Sequence, residues 1–482
     1  MLNLKPVIAV QGILLTALGL AMLVPLATDL LQGNPDWQAF AFAAAACLFA
    51  GGMAILATRG NHERLGVREG FLITVCAWIV LPAFGGIPFM ISTLKLPLAD
   101  AFFEAMSGLT TTGSTVVTGL DNLAPGLLVW RALLQWLGGV GIIVMAVAIL
   151  PALQIGGMQL FRLESSENSE KALPRIATIA AGTALAYGLA SLLCMILLWA
   201  SGMTLFEAWI HAMTTLSTGG FSTSDGSIGH FNSAAVEWTI TFFMMIGGMP
   251  FLLLFQALRG RPLLIWRDSQ IRLYLALLVT VSVATGLWLA GQKNLPLTDA
   301  LRLSSFNVVS AITGTGFASD DYTRWGNFAT GLFFFLMFIG GCAGSASCGI
   351  KIFRIQILVQ AVRMQIGRLL QPHAVFVLRY NDKPMPETTL DAVMSFFFMY
   401  AFLFGLLSLS LAALGLDELT SLSAVATTLS NVGPGLGDIV GPSSTFQSLP
   451  ATAKWILSLA MLLGRLEIFT VLALLSPRFW RD

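Results

Sequence analysis

The chain has 482 residues, 56% of them hydrophobic and only 11% charged, with a formal net charge of +1. A soluble globular protein carries about 25% charged residues, so this composition excludes an ordinary soluble domain and places the chain in a bilayer. The near-neutral balance gives no reason to expect nucleic-acid binding. In chain order, stretches long enough to cross a hydrocarbon core of roughly 30 Å are predicted near 7–31, 37–58, 70–93, 127–151, 176–200, 236–258, 271–291, 328–363, 388–414 and 452–476. The first exceeds the roughly 7–15 residues of a signal-peptide core and has no small-x-small cleavage site, so it reads as a retained helix. Shorter apolar stretches lie between these spans, at 98–109, 204–216, 299–312 and 418–429. The polar segments near 156–175 and 366–387 are too short to fold alone. "GGVG" at 138–141 lies within a membrane-length stretch and reads as packing glycine, not as a phosphate loop. Cys47, Cys76, Cys194, Cys342 and Cys348 lie in or beside apolar segments without metal-ligand spacing, and read as buried small hydrophobes.

The basic residues fix the predicted topology. If the four short stretches dip in and return, one side collects Lys5, Arg59, Arg64, Arg68, Arg162, Lys171, Arg175, Arg259, Arg261, Arg267, Arg272, Lys351, Arg354, Arg363, Arg368, Arg379, Lys383, Arg478 and Arg481, most of the 26 Lys and Arg residues. Short loops rich in Lys and Arg stay cytoplasmic, which predicts both termini inside. If the short stretches crossed completely, the basic loops would alternate sides. The opposite side gathers Asp121, Asp225, Asp320, Asp321 and Asp438, while Asp100, Asp299 and Asp417 are predicted to cap the short helices that follow them.

Each short stretch ends in the same pattern: "LTTTGS" at 109–114, "LSTGGF" at 216–221, "ITGTGF" at 312–317 and "LSNVGP" at 429–434. An aliphatic residue is followed by Ser or Thr, two small or polar residues, and then Gly113, Gly220, Gly316 or Gly433. A second echo follows in the next helix, at Gly138-Gly139, Gly247-Gly248, Gly340-Gly341 and Gly464-Arg465. Four matches at similar spacing mark an internal repeat. Backbone outside a helix is tolerated at membrane depth only where it is buried in protein or lines a watery cavity. Four such loops meeting on one axis would present rings of carbonyl oxygens that replace the water shell of a monovalent cation. The candidate filter is therefore Thr110, Thr111, Thr112 and Gly113; Ser217, Thr218, Gly219 and Gly220; Thr313, Gly314, Thr315 and Gly316; and Ser430, Asn431, Val432 and Gly433. The ion is expected at Thr111, Thr112, Thr218, Gly219, Gly314, Thr315, Asn431 and Val432. These loops carry no Asp, Glu or His, which argues against a multivalent ion.

These residues, together with "REGFLI" at 68–73, "QWLGGVGIIVMAVAILP" at 135–151, "GGMQLFR" at 156–162, "GGFSTSDGSIGHF" at 219–231, "IGGCAGSASCGIK" at 339–351 and "GRLEIFTVLALLSPRFW" at 464–480, resemble the TrkH/KtrB/HKT superfamily of potassium transporters, and within it the bacterial TrkH family. The resemblance implies an all-α integral membrane fold: four helix–pore loop–helix repeats around one pore, preceded by two extra transmembrane helices. The expected divisions are 1–66 for the extra helices, then 67–155, 156–262, 263–383 and 384–482 for the repeats. It further implies potassium as the transported ion with no covalently bound cofactor, a homodimer, a bacterial inner-membrane location, and regulation by a cytosolic TrkA-type nucleotide-binding ring that this chain would recruit. Within the superfamily a serine at the first filter glycine accompanies sodium transport in plant relatives, and Gly113 favours potassium. The third loop, "TGTGF", departs from the family's usual threonine/alanine run, and "SASCG" stands where close relatives have glycines.

The run Gly340, Gly341, Cys342, Ala343, Gly344, Ser345, Ala346, Ser347, Cys348, Gly349 interrupts the apolar stretch 328–363. Small residues suit close helix packing, but three serines shortly after the third filter loop fit a loop that plugs the pore, and the resemblance places the family's gating loop here. Arg465 lies deep in the last repeat, where a buried cation needs a partner or a watery path. Glu467, two residues on, does not share its helix face, so the carbonyls of 340–349 are the expected partner; anchor and electrostatic element are both open as its role. Lys351 either caps that loop or marks the cytoplasmic edge. Arg131 is expected to snorkel or pair, and His211 to be a packed polar residue. No nucleophile–base pair, metal cluster or nucleotide loop suggests an enzyme. The alternative to a channel-like pore is a secondary symporter coupled to sodium or protons, although the repeats run in one sense and no midplane carboxylate stands out.

Overall fold

A computed structural model of the chain describes residues 3–60, 66–148, 172–374, 376–381 and 383–480. The expected division at 155/156, the stretch 156–162, and Arg64, Arg162, Lys171 and Arg481 fall outside the described residues. The molecule is an all-α membrane protein. Leu4–Ala21 runs on into Leu23–Leu31 as one span, and Trp37–Ala57 returns beside it. Helices in lipid associate through close packing of small residues, and here Gly12 and Gly51 provide it: a Cβ on Gly51 would lie 2.7 Å from the Gly12 carbonyl oxygen. Asp29, fully buried, ties this pair to the rest by accepting the Gly126 N–H at 2.7 Å, at the start of helix Pro125–Ala148.

Four units of outer helix, pore helix, loop and inner helix follow. The outer helices are Val67–Gly85, Ala172–Ala200, Ser269–Lys293 and Glu387–Ala413. The pore helices are Leu98–Leu109, Leu205–Leu216, Leu297–Thr313 and Glu418–Ser430. The inner helices begin at Pro125, Ala234, Asn327 and Ala451. The pore helices are too short to cross a bilayer, since each residue rises only about 1.5 Å, and their C-terminal ends are buried in protein. Each inner helix of repeats 1, 2 and 4 packs on the pore helix of the next repeat in a cycle.

Two predicted straight spans are bent. Ala234–Gly247 turns by 100° into Phe251–Leu258, and Ala451–Arg465 turns by 112° into Phe469–Leu475. The first break holds Gly247, Gly248 and Pro250, residues that weaken or end a helix. The second has no Gly or Pro; Glu467 and Ile468 adopt φ of 58° and 56°, a costly conformation for a β-branched residue. In the third repeat the interruption lies where the sequence predicts it, between Asn327–Leu336 and Ile352–Leu370.

Pore-helix capping differs from expectation at two of three aspartates. Asp417 is an N-cap and accepts the Thr420 N–H at 3.0 Å. Asp100 and Asp299 instead sit within the first turn, because Pro97 and Pro296 occupy the cap position. There each carboxylate meets a cation: Lys454 donates to Asp100 at 2.8 Å, and Arg302 reaches Asp299 at 3.4 Å while binding Glu237 at 2.5 Å. Lys454 belongs to inner helix 4 and Asp100 to pore helix 1; Glu237 belongs to inner helix 2 and Arg302 to pore helix 3. These shielded pairs join repeat 4 to repeat 1 and repeat 2 to repeat 3. Breaking one partner of a buried pair costs about 3–5 kcal/mol. Lys454→Met is therefore expected to lower the unfolding temperature of the detergent-purified protein sharply, and adding Asp100→Leu to recover most of the loss. A melting curve for each variant checks this.

Candidate functional site

Each pore helix ends in the same backbone device. Residues Thr111, Thr218, Gly314 and Asn431 take φ of 53°, 51°, 70° and 55°. The next residue's N–H reaches back five positions to a carbonyl: Thr112 to Ser107 at 2.9 Å, Gly219 to Thr214 at 2.9 Å, Thr315 to Ser310 at 2.9 Å, and Val432 to Thr427 at 2.8 Å. The left-handed residue itself donates three back, to Gly108, Thr215, Ala311 and Thr428. This is the Schellman arrangement, repeated four times. Threonine normally resists positive φ; burial within the ring holds Thr111 and Thr218 there.

One residue further on, Gly113, Gly220, Gly316 and Gly433 have φ of 89°, 78°, 78° and 112°. A Cβ on Gly113 would strike the Gly219 carbonyl oxygen; on Gly220, that of Thr315; on Gly316, that of Val432; and on Gly433, that of Thr112. The contacts run from loop 1 to 2, 2 to 3, 3 to 4 and back to 1, so the four loops form a closed ring. The carbonyls of Thr112, Gly219, Thr315 and Val432 stand at its seams. Ser114 also donates to the Gly433 carbonyl at 2.7 Å, across the seam between loops 1 and 4. All sixteen residues singled out in the sequence are brought together here, buried or half-buried.

The braces behind the ring alternate. In loop 1, Thr110 shares a hydrogen bond with Thr112 at 2.7 Å and donates to Met106. In loop 3, Thr313 and Thr315 repeat it at 2.7 Å. Loop 4 relies on Asn431, whose amide donates to the Thr112 hydroxyl at 2.8 Å and to the Met461 carbonyl at 3.0 Å. Loop 2 relies on Gln135 of inner helix 1, which donates to the Gly219 carbonyl at 2.5 Å and accepts the Phe221 N–H at 3.1 Å. Arg131, one turn earlier, is buried, not snorkelling. It binds Glu104 at 2.8 Å, donates to the Ser222 carbonyl, and lies 4.1 Å from the Phe221 ring centroid. His211 contacts the Glu207 carbonyl and Ser222 and packs on Phe231 and Phe317.

The second glycine echo has a common cause in three repeats. A Cβ on Gly138 would strike the carbonyl of Leu109, on Gly247 that of Leu216 at 3.1 Å, and on Gly464 that of Leu429. Each glycine lets the inner helix touch the last turn of its own pore helix. Gly340 does not: a Cβ there would strike Cys348, because the third inner helix has already broken.

That break is a loop folded on itself, with Gly340 donating to the Ile350 carbonyl at 2.9 Å and Ile350 to Phe338 at 2.9 Å. The bend of repeat 2 grips it. Cys342 donates to Gly248 at 2.9 Å, Ala346 to Gly247 at 3.2 Å, and Phe251 to Gly344 at 3.1 Å. Ser347 approaches the third ring loop, its hydroxyl 3.9 Å from where a Gly314 Cβ would be. Arg465 is fully buried and donates to the Ala346 carbonyl at 3.1 Å, to Cys348 Sγ at 2.7 Å, and to the Gly138 carbonyl at 3.1 Å. Lys351 is neither a loop cap nor an edge residue. It is buried and binds Glu467 at 2.7 Å, while Arg354, counted among the cations of the cytoplasmic side, is buried and binds the other carboxylate oxygen at 2.5 Å. Ser347, Cys348, Lys351, Arg465 and Glu467 line a cavity of about 20 Å³, room for one water.

The sequence does not point to Glu104 or Gln135, and it offers Glu467 only as a neighbour of Arg465 and Arg354 only as a cation of the cytoplasmic side. Ionisable residues inside apolar segments are the signal that marks such positions, and it applies to three of the four.

A multi-pass membrane fold whose four loops close into one ring suits a cation-transport protein, and the comparisons give that class. The TrkH family, described as "Cation transport protein", matches residues 37–481, and the chain belongs to that family. It is 42% identical to the Trk system potassium uptake protein TrkI of Halomonas elongata, over 99% of this chain and 97% of that one. It is 39% identical to the Trk system potassium uptake protein TrkH of Escherichia coli, over the full length of both. The crystal structure of the potassium transporter TrkH from Vibrio parahaemolyticus superposes with a TM-score of 0.92 at 38% identity, covering all of both chains. Members of this family are transporters, and the chain is not an enzyme.

Glu467 neutralises two buried cations, so Glu467→Gln leaves them uncompensated at about 3–5 kcal/mol. The expected result is loosening of the loop: maleimide should label Cys342 and Cys348, buried in the native chain, several-fold faster, as mass spectrometry of the labelled peptide would register.

Proposed function

We propose that this chain takes up potassium across the bacterial inner membrane through a channel-like pore, with both termini in the cytoplasm. The observation that carries the reading is the closed ring of backbone carbonyls at Thr112, Gly219, Thr315 and Val432, each packed against the glycine of an adjoining loop. Together with the backbone of Thr111, Thr218, Gly314 and Asn431, this ring offers neutral oxygen dipoles to a dehydrated monovalent cation. Beneath it, residues 340–349 act as the gate, with Lys351 and Arg465 as its supports. The Arg465 charge, fixed below the filter, keeps a cation from lingering there. The potential across the membrane supplies about 2.3 kcal/mol per charge per 100 mV, enough to draw potassium inward without a coupled ion. The units 67–155, 156–262, 263–383 and 384–482 each contribute one quarter of the pore, and 1–66 buttresses the first. The family resemblance supports a homodimer regulated by a cytosolic TrkA-type nucleotide-binding ring.

The test is cation flux into proteoliposomes holding only this protein, under a potassium diffusion potential. Potential-driven uptake of potassium and rubidium over sodium and lithium is expected; uptake that requires a sodium or proton gradient would replace the channel reading with symport. In the same assay Gly113→Ser should lower the rubidium-to-sodium ratio, since a side chain at φ 89° must displace the Gly219 carbonyl. An unchanged ratio removes loop 1 from the filter. Deleting 341–347 should raise basal flux several-fold, and a deletion with wild-type flux shows that this loop is no plug.

A further inference from the structure

At the ring position held by Thr112, Thr315 and Val432 in the other loops, loop 2 has Gly219, which carries no side chain. The φ of Gly219 is not in the left-handed region that the neighbouring Thr218 and Gly220 occupy, so its backbone does not require glycine. Space does: a Cβ on Gly219 would run into the Gln135 amide. Gln135 is fully buried, donates to the Gly219 carbonyl at 2.5 Å and accepts from Phe221 N–H at 3.1 Å. Its amide thus pairs with loop 2 as a neighbouring peptide strand would, fixing the plane of the carbonyl that sits at the seam with Gly113. Loops 1 and 3 anchor the side chain of the residue at that position with hydroxyl pairs inside the loop. Gln135 also shares a helix face with Arg131 and Gly138 at i−4 and i+3. Arg131 holds the Ser222 carbonyl, and the Gly138 carbonyl holds Arg465.

We infer that Gln135 is a specificity-determining positioning residue: it stands in for the missing side chain of loop 2 and sets the direction of the Gly219 carbonyl. The inference rests on the filter reading above. A carbonyl held by a buried amide keeps its place when a smaller ion invites the ring to contract; released, it tilts and admits sodium.

The experiment uses the full chain in proteoliposomes, with the rubidium-to-sodium uptake ratio as readout and the melting curve and elution volume as controls for folding. Gln135→Met keeps the volume and removes both hydrogen bonds. The ratio is expected to fall by about tenfold, the scale of one buried hydrogen bond, with rubidium uptake retained. Gln135→Glu keeps the acceptor for Phe221 and loses the donor to Gly219; its ratio is expected to fall as well, which separates carbonyl orientation from loop support. The decisive variant exchanges the parts. Gln135→Ala combined with Gly219→Thr returns a side chain to the ring position in the space the glutamine leaves, and is expected to recover selectivity relative to Gln135→Ala alone. An unchanged ratio in Gln135→Met, or an exchange variant no more selective than Gln135→Ala, overturns the assignment. An unchanged ratio in Gly113→Ser overturns the filter itself, so the two failures are told apart.

Discussion

Peptide groups that leave a helix inside a bilayer must find partners in protein, because lipid offers none. Four separate segments of this chain do so at one depth, and most of the architecture follows from how they manage it. Each closes its pore helix with the same pair of reach-back hydrogen bonds, then turns at a glycine whose missing side chain leaves room for the carbonyl of an adjoining loop. Three of the inner helices carry glycines where they touch the ends of the pore helices. At each seam a glycine of one loop thus meets the backbone carbonyl of an adjoining loop, and side chains such as Ser114, Gln135 and Asn431 brace the ring.

Beneath the ring, charge takes over from geometry. The interrupted helix of repeat 3 cannot satisfy itself, so the bend of repeat 2 supplies carbonyls from Gly247 and Gly248, and Arg465 supplies donors from repeat 4. Glu467 then neutralises Lys351 and Arg354, which flank the end of the loop. The strained backbone at Glu467 and Ile468 is explained by this demand: the carboxylate must leave its helix to reach cations on another repeat. The bend in the last inner helix has an electrostatic cause, whereas the bend in repeat 2 has a steric one.

This difference also explains what was legible in the chain. The ring glycines, the polar residues before them and the break at 340–349 are local patterns, and reading them required only the repeat. The bend at Gly247–Pro250 carried a visible Gly-Gly-x-Pro signal that a hydropathy reading passed over. The bend at 466–468 carried none, because its origin lies with residues more than a hundred positions away. Arg131 offered the choice of snorkelling or pairing, and only the fold brings Glu104 to it. Gln135 is an uncharged residue in an apolar helix, and nothing in its neighbourhood along the chain points to Gly219. Asp100 and Asp299 have the look of caps in the sequence, but the prolines before their helices occupy that position.

The unlike braces of the four loops have a consequence for heredity. A ring built from four copies of one chain changes in all quadrants whenever one codon changes. Here Thr110–Thr112, Gln135, Thr313–Thr315 and Asn431 are encoded separately, so a mutation is dosed to a single quarter while the other three hold the ring together. Such a chain can change the geometry of its ring in small steps that a symmetric assembly would have to take all at once.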